Sequence, residues 1–183
     1  MSRIPTPATI EAAPAASRPL LEAVKQQLGI APNLFRLVSN SPAALEGYLS
    51  LSGALAKGAL PAPTRERIAL AIAEINGCSY CLSAHTYLGL NVAKIDEAEI
   101  ALNRAGHSAD ATADAAVVFA RKVLEARGHV SDADLAQVRL AGHSEAQIIE
   151  IVAHVAINVL TNYLNSVADT DIDFPVVRAA EAG

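Results

Sequence analysis

Residues 60–90 read LPAPTRERIALAIAEINGCSYCLSAHTYLGL, and the fold turns on this stretch. Pro61 and Pro63 break whatever precedes them. Thr64 is read as the cap of a helix over RERIALAIAEI. Ala, Leu and Ile in close alternation, with no turn residue before Asn76-Gly77, favour a helix over a strand. Asn76-Gly77 reads as a bend. A second helix then starts near Cys78 and runs to about Leu88, closed by Gly89-Leu90-Asn91.

Working outward, the same punctuation recurs. Pro19 opens a helix over LLEAVKQQL and Gly29 closes it, the usual proline-first, glycine-last asymmetry. A short helix follows near Leu34–Val38. Ser41-Pro42 caps and opens another that runs to about Lys57. Downstream, helices are expected at about 96–104 and 110–127. A short one is capped by Ser131 or Asp132, and a long one runs from Glu145 to about Val167. Ser144 and Gln147 stand at capping-box spacing ahead of the last. No segment alternates apolar and polar residues in the manner of a strand, so the fold class is all-α. Residues 1–17, with Pro5, Pro7 and Pro14, read as a flexible N-terminal arm. Residues 18–175 form the helical domain, and 176–183 read as a loose tail.

Composition narrows the function. The chain has 183 residues, 52% of them hydrophobic and 4% aromatic, so it can bury a core without disulfide staples. The formal net charge is -5 and no run of Lys or Arg occurs, which argues against nucleic acid and against a polybasic membrane patch. No apolar stretch approaches a membrane span, and the N-terminus does not read as a signal peptide, so the expected setting is the cytoplasm. Thiols there stay reduced, and a C-x-x-C pair is then catalytic or metal-binding rather than structural. The mean hydropathy of +0.29 and the apolar run Ile148–Leu160 suggest a helix buried on every side, with some surface covered by a second subunit.

Cys78 and Cys81 carry the chemistry. Three apart on a helix, they share a face, with Cα atoms about 5 Å apart, inside disulfide range. A helix N-terminus at Cys78 favours a thiolate. His85, four residues after Cys81, lies on the same stripe and can take or hold a thiol proton. Glu66 and Glu74 on the preceding helix are the acidic groups able to orient it. Glu66 sits between Arg65 and Arg67, where a solvated charge cluster is an equal reading. C-x2-C-x3-H also offers three zinc ligands, but no third Cys completes a structural site. His154, Asn158, Thr161 and Asn165 make a polar stripe on the last helix, with Asn162 adjacent. The stripe either lines a cavity opposite Cys81 or makes interface and capping bonds, and the second reading is preferred. His107, His129 and His143 are read as exposed and idle.

The pattern Glu66-x11-Cys78-x2-Cys81-x3-His85, with the words PAPTRERIALAIAEINGCSYCLSAHTYLG and SEAQIIEIVAHVAINVLTNYLNSVADTDIDFP, resembles the alkylhydroperoxidase D-like (AhpD-like) proteins, in the peroxidase-related branch of the carboxymuconolactone decarboxylase superfamily. The resemblance spans roughly residues 30–175. It implies an AhpD-like helical bundle assembled into trimers or hexamers. It implies reduction of hydroperoxides by the Cys pair, with Glu66 and His85 as a proton relay. No cofactor is implied; an external dithiol, lipoyl or thioredoxin-like, would re-reduce the pair. The best-known members carry a His just before the second Cys, where this chain has Tyr80, a poor base. The alternatives are an acid–base enzyme of the carboxymuconolactone decarboxylase kind, which needs no Cys pair, and a redox-inactive or metal-binding helical oligomer.

Overall fold

The computed structural model describes residues 2–180; Met1 of the expected arm and residues 181–183 of the expected tail lie outside it. Nine α-helices make up the described chain: α1 (Arg18–Leu28), α2 (Asn33–Val38), α3 (Pro42–Leu55), α4 (Ala62–Ile75), α5 (Ser79–Leu88), α6 (Glu97–Arg104), α7 (Ala111–Glu125), α8 (Asp132–Leu140) and α9 (Glu145–Ala168). No strand occurs among the described residues.

Helix α4 is the axis of the bundle and packs against α5, α6, α7 and α9. Ile68 through Ala73 are all buried, so α4 is the helix enclosed on every side. Leu70 and Ala73 belong to one core with Leu21, Leu34, Leu45 and Leu82, while Ile68, Ala71 and Ile72 belong to a second with Val117, Phe119, Val138 and Ile151. The small Ala side chains let neighbouring helices come close on both sides.

That role was expected of Ile148–Leu160, and here the structure differs. Helix α9 buries Ile148, Ile151, Val155 and Ile157, but Ile149, Val152, Leu160, Tyr163 and Val167 are exposed along its outer face. By length and composition its 24 residues are apolar enough to cross a membrane. Its packing against α3, α4, α5 and α7, and its buried polar stripe, make it a bundle helix instead.

Helix boundaries follow the expected signals with one exception, at the start of α4. Ser41, Asp96, Asp110, Ser131 and Ser144 each cap a helix through a side-chain oxygen, and the capping box of Ser144 with Gln147 is present. Thr64, however, does not cap α4: Pro61 stands at the N-cap, and Thr64 is buried one turn in. Proline's fixed φ suits the first turn, so the Pro61 and Pro63 region starts the helix rather than preceding it. Helix α5 ends at Leu88 with Gly89 at its C-cap, as expected. Residues Gly89–Ala93 widen into a π-turn that closes at Lys94, φ +57°.

The described parts of the arm and the tail are docked, not loose. Ile10 and Ala13 enter the first core. Arg36 Nη1 donates to Pro7 O, Asn40 Nδ2 donates to Pro5 O, and Ser17 Oγ donates to Ser39 O. Prolines lack an N–H, but their carbonyls still accept, and that is how the arm is held. The tail from Thr170 to Ala180 has no regular structure, yet it runs as a strap over α5. Val177 N donates to Ser83 Oγ, Ala179 N to Ser79 Oγ, and Ala180 N to Glu74 Oε1.

Candidate active site

The corner between α4 and α5 builds the site. Gly77 adopts φ +66°, a left-handed conformation that glycine reaches without strain. Its N–H bonds Glu74 O, and Cys78 N–H bonds Ala73 O, so α4 ends in a Schellman motif. Cys78 is therefore the last residue of that motif and also the N-cap of α5, its Sγ accepting from Cys81 N at 3.3 Å. Asn76 Nδ2 donates to Asn162 Oδ1 at 2.8 Å and ties the corner to α9.

Cys78 and Cys81 are joined as a disulfide across one helical turn, Cα to Cα 5.4 Å, and both are buried. The spacing of three residues on a helix accounts for this reach. Asn165 Nδ2 donates to Cys81 Sγ at 3.3 Å. Cys81 lines a cavity of about 230 Å³ between α3, α4, α5 and α9. Glu66 and His85 line the same cavity, with His85 Nδ1 2.8 Å from Glu66 Oε2. A carboxylate only accepts, so Nδ1 carries the proton and Nε2 of the neutral ring keeps its lone pair.

The charged run around Glu66 separates in the fold. Arg65 Nη1 donates to Ala56 O and Leu60 O. Arg67 Nε donates to Glu99 Oε1 at 2.8 Å. Arg65 and Glu66 both line the cavity, and Glu66 is the member of the run that pairs with His85. Glu74 is turned elsewhere: its carboxylate takes Arg104 Nε and Ala180 N.

The polar stripe of α9 joins this site. His154, Asn158 and Thr161 line the cavity with Cys81, and Asn165 reaches the sulfur itself. The preferred expectation of interface bonds therefore gives way to the cavity reading. Burial pushes the His154 pKa below its ordinary value, with the Arg65 charge acting in the same direction, so the ring is neutral near pH 7. Its Nε2 is buried and has no hydrogen-bond partner among the described residues. Leu34, Tyr48, Leu55 and Ile157 supply apolar wall. Tyr48 and Ser52 reach the cavity from α3, a contribution that helical spacing within α5 and α9 gives no means of finding.

Tyr80 has another task. Its hydroxyl donates to Asp173 Oδ1 at 2.8 Å and accepts from Leu34 N at 3.0 Å. Asp173 Oδ2 also accepts from Asn33 N. Burial raises the phenol's pKa far above its usual value. The residue in place of a relay base is thus a neutral clasp between the N-terminus of α2, the Cys helix and the tail strap. Phe174 packs edge-on against it, ring centroids 5.9 Å apart.

The remaining histidines are not all idle. His143 is buried and its Nε2 lies 2.9 Å from Thr112 O, and His107 faces Asp114. Among the described residues no cluster of three or more His, Cys, Asp or Glu gathers in a metal-binding arrangement.

Comparison with known proteins agrees with this architecture. The carboxymuconolactone decarboxylase family model matches residues 42–126, which include α4 and α5. A peroxidase-related protein with an alkylhydroperoxidase AhpD core from Ralstonia eutropha superposes with a TM-score of 0.84 at 25% identity, covering 94% of this chain and 92% of that one. A peroxidase-related protein from Silicibacter sp. superposes at 0.78 and 22% identity, covering 91% of each chain. The debrominase Bmp8, solved with 2,3,4-tribromopyrrole, superposes at 0.74 and 22% identity, covering 92% of this chain and 90% of that one. No curated protein matches the chain in sequence.

Proposed function

We propose that the chain is an AhpD-like member of the carboxymuconolactone decarboxylase superfamily and acts as a thiol-dependent hydroperoxide reductase. The observation that carries the reading is the meeting of Cys81, His85 and Glu66 on one cavity, with Cys78 at bonding reach of Cys81.

In the reduced protein, His85 Nε2 takes the Cys81 thiol proton while Glu66 holds the imidazolium that forms. The Cys81 thiolate attacks the distal oxygen of ROOH. The O–O bond breaks, Cys81 becomes a sulfenic acid, and the alkoxide takes the proton back from His85 to leave as ROH. The Cys78 thiol then attacks the sulfenic sulfur, giving the disulfide and water. A dithiol returns two electrons and two protons, and the cycle closes. Asn165 and the imidazole both favour charge on Cys81, which makes it the attacking sulfur.

The cytoplasm, where thiols are kept reduced, is the setting this cycle needs. The exposed apolar seam of Ile149, Val152, Leu160, Tyr163 and Val167 on α9 supports assembly into a homo-oligomer, a trimer or hexamer. The seam lies across the helix from the buried stripe, so assembly on it leaves the cavity lining in place.

The likeness to a debrominase is one of fold. A decarboxylase-type reaction needs no thiol pair. The test is consumption of an organic hydroperoxide with dithiothreitol as reductant, run beside a bromopyrrole and beside protein alkylated at both thiols. Hydroperoxide turnover that alkylation abolishes is expected. Turnover of the bromopyrrole alone, or an activity that survives alkylation, would replace the reading.

A further inference from the structure

The two sulfurs of the disulfide belong to residues that open on different cavities. Cys81 lines the cavity of Glu66, His85 and His154, and Cys78 does not. Cys78 lines a second cavity, of about 180 Å³, and Cys81 does not. The second cavity lies at the α5 N-terminus. Gly77 and Ser79 form its floor, and Asn165, Ser166 and Asp169 at the end of α9 form one wall. Ile172 and Arg178 of the tail strap form the other. Tyr80 touches both cavities and stands between them, its hydroxyl fixed by Leu34 N and Asp173.

On the reading of the site as a dithiol peroxidase, we propose that the reducing dithiol enters through this second cavity and attacks Cys78, while the oxidant meets Cys81 from the other side. Thiol–disulfide exchange selects the sulfur that is accessible to the attacking thiolate and whose partner leaves more easily. Attack at Cys78 expels Cys81. The Asn165 amide at 3.3 Å receives the charge of the departing Cys81 sulfur, and the His85–Glu66 pair on its cavity does so once the proton released by the attacking thiol makes His85 an imidazolium. Attack at Cys81 would instead expel Cys78, whose sulfur has the Cys81 backbone N–H at 3.3 Å and no side-chain donor among the described contacts.

The step balances. One thiolate of the dithiol bonds Cys78 Sγ, and the Cys78–Cys81 bond breaks with its electron pair on Cys81. The second thiol then attacks the dithiol's own sulfur in the mixed disulfide and frees Cys78. The dithiol leaves as a disulfide, and its two electrons and two protons remain on the protein. Oxidant and reductant thus approach the pair by separate routes, and the tail strap, clasped to Tyr80 by Asp173, shapes only the reductant's route.

The experiment traps the intermediate. The disulfide is formed with diamide, so the result does not depend on peroxide chemistry. 2-Mercaptoethanol is added, the mixture is quenched in acid, free thiols are blocked with N-ethylmaleimide, and fragmentation of the tryptic peptide 68–94 locates the adduct. At least fivefold more adduct on Cys78 than on Cys81 is expected; equal adducts, or excess on Cys81, overturn the proposal. A second arm fills the cavity with Ser166→Trp. Reduction by dithiothreitol should slow at least tenfold, while oxidation of the reduced protein by hydroperoxide stays within twofold of wild type. Unchanged reduction in a folded variant also overturns the proposal. Wild-type thiols that ignore hydroperoxide would sink the peroxidase reading and leave the trapping result standing.

Discussion

His85 Nδ1 lies 2.8 Å from Glu66 Oε2, and the contact joins α5 to α4 across the cavity on which Cys81 opens. Nineteen residues separate the two in sequence, and the Gly77 corner brings them together. The carboxylate fixes which ring nitrogen holds the proton. In the proposed mechanism it therefore decides whether His85 is available as a base to the thiol.

Glu66→Gln removes that control. The amide can donate to Nδ1 as readily as it accepts, so the wrong tautomer becomes populated. The rate at which hydroperoxide oxidises the reduced thiols should fall about 10- to 100-fold, within the range of general acid–base contributions. The melting temperature should change little, because the pair is partly exposed. Stopped-flow oxidation beside a thermal melt checks both; an unaltered oxidation rate would remove Glu66 from the mechanism.

Tyr80→Phe should act in the opposite sense, on stability and not on chemistry. It leaves Leu34 N–H and one oxygen of Asp173 without their partner. The cost is about 1–3 kcal/mol, that of leaving the buried Leu34 N–H unsatisfied while exposed Asp173 can turn to water, read from urea unfolding. The rate of Cys81 oxidation should stay within about threefold of wild type, as expected of a phenol that moves no proton. A loss comparable to that of Glu66→Gln would restore Tyr80 to the relay.

Gly77→Ala tests the corner. At φ +66° a Cβ is strained although nothing crowds it, so the cost is conformational, about 1 kcal/mol or more. Relief of that strain moves Cys78 away from Cys81, so the disulfide should form more slowly from the sulfenic acid. Trapping with a sulfenic-acid reagent such as dimedone should capture more adduct than in wild type.

Glu99 sets an acid dependence of stability. Burial opposes its charge, but donors from Ser108, Ala109, Asn103 and Arg67 together outweigh it and hold the carboxyl down to about 2. The folded state thus binds this proton less readily than the unfolded chain does. The stabilisation is complete above the ordinary value of 4.5 and is lost as pH falls towards 2. Glu99→Gln should lower stability near neutral pH by up to about 3 kcal/mol, with the gap to wild type closing through that window. Unfolding curves at pH 7, 4 and 3 check this; a constant gap would contradict it.

Much of the site was legible because it is local. Cys78, Cys81 and His85 fall within eight residues of one helix start, and helical spacing alone puts them on one stripe. The choice of Glu66 over Glu74 was harder, since spacing admits both; a long-range contact decided it, Arg104 and the tail claiming Glu74. The docked ends were illegible for a related reason. Prolines and small residues read as loose, and only the fold shows that Arg36 and Asn40 collect their carbonyls. The all-round burial went to α4 and not α9. Both are apolar by composition, and the difference is position: α4 has neighbours on every side.

The most direct test of the central claim is a free-thiol count on the reduced protein before and after one equivalent of an organic hydroperoxide, repeated with Cys78→Ser and Cys81→Ser. The account predicts that wild type loses both thiols, that Cys78→Ser stops at a sulfenic acid on Cys81, and that Cys81→Ser does not react. Wild-type protein that keeps both thiols at neutral pH, while still reacting with a thiol reagent, would contradict it.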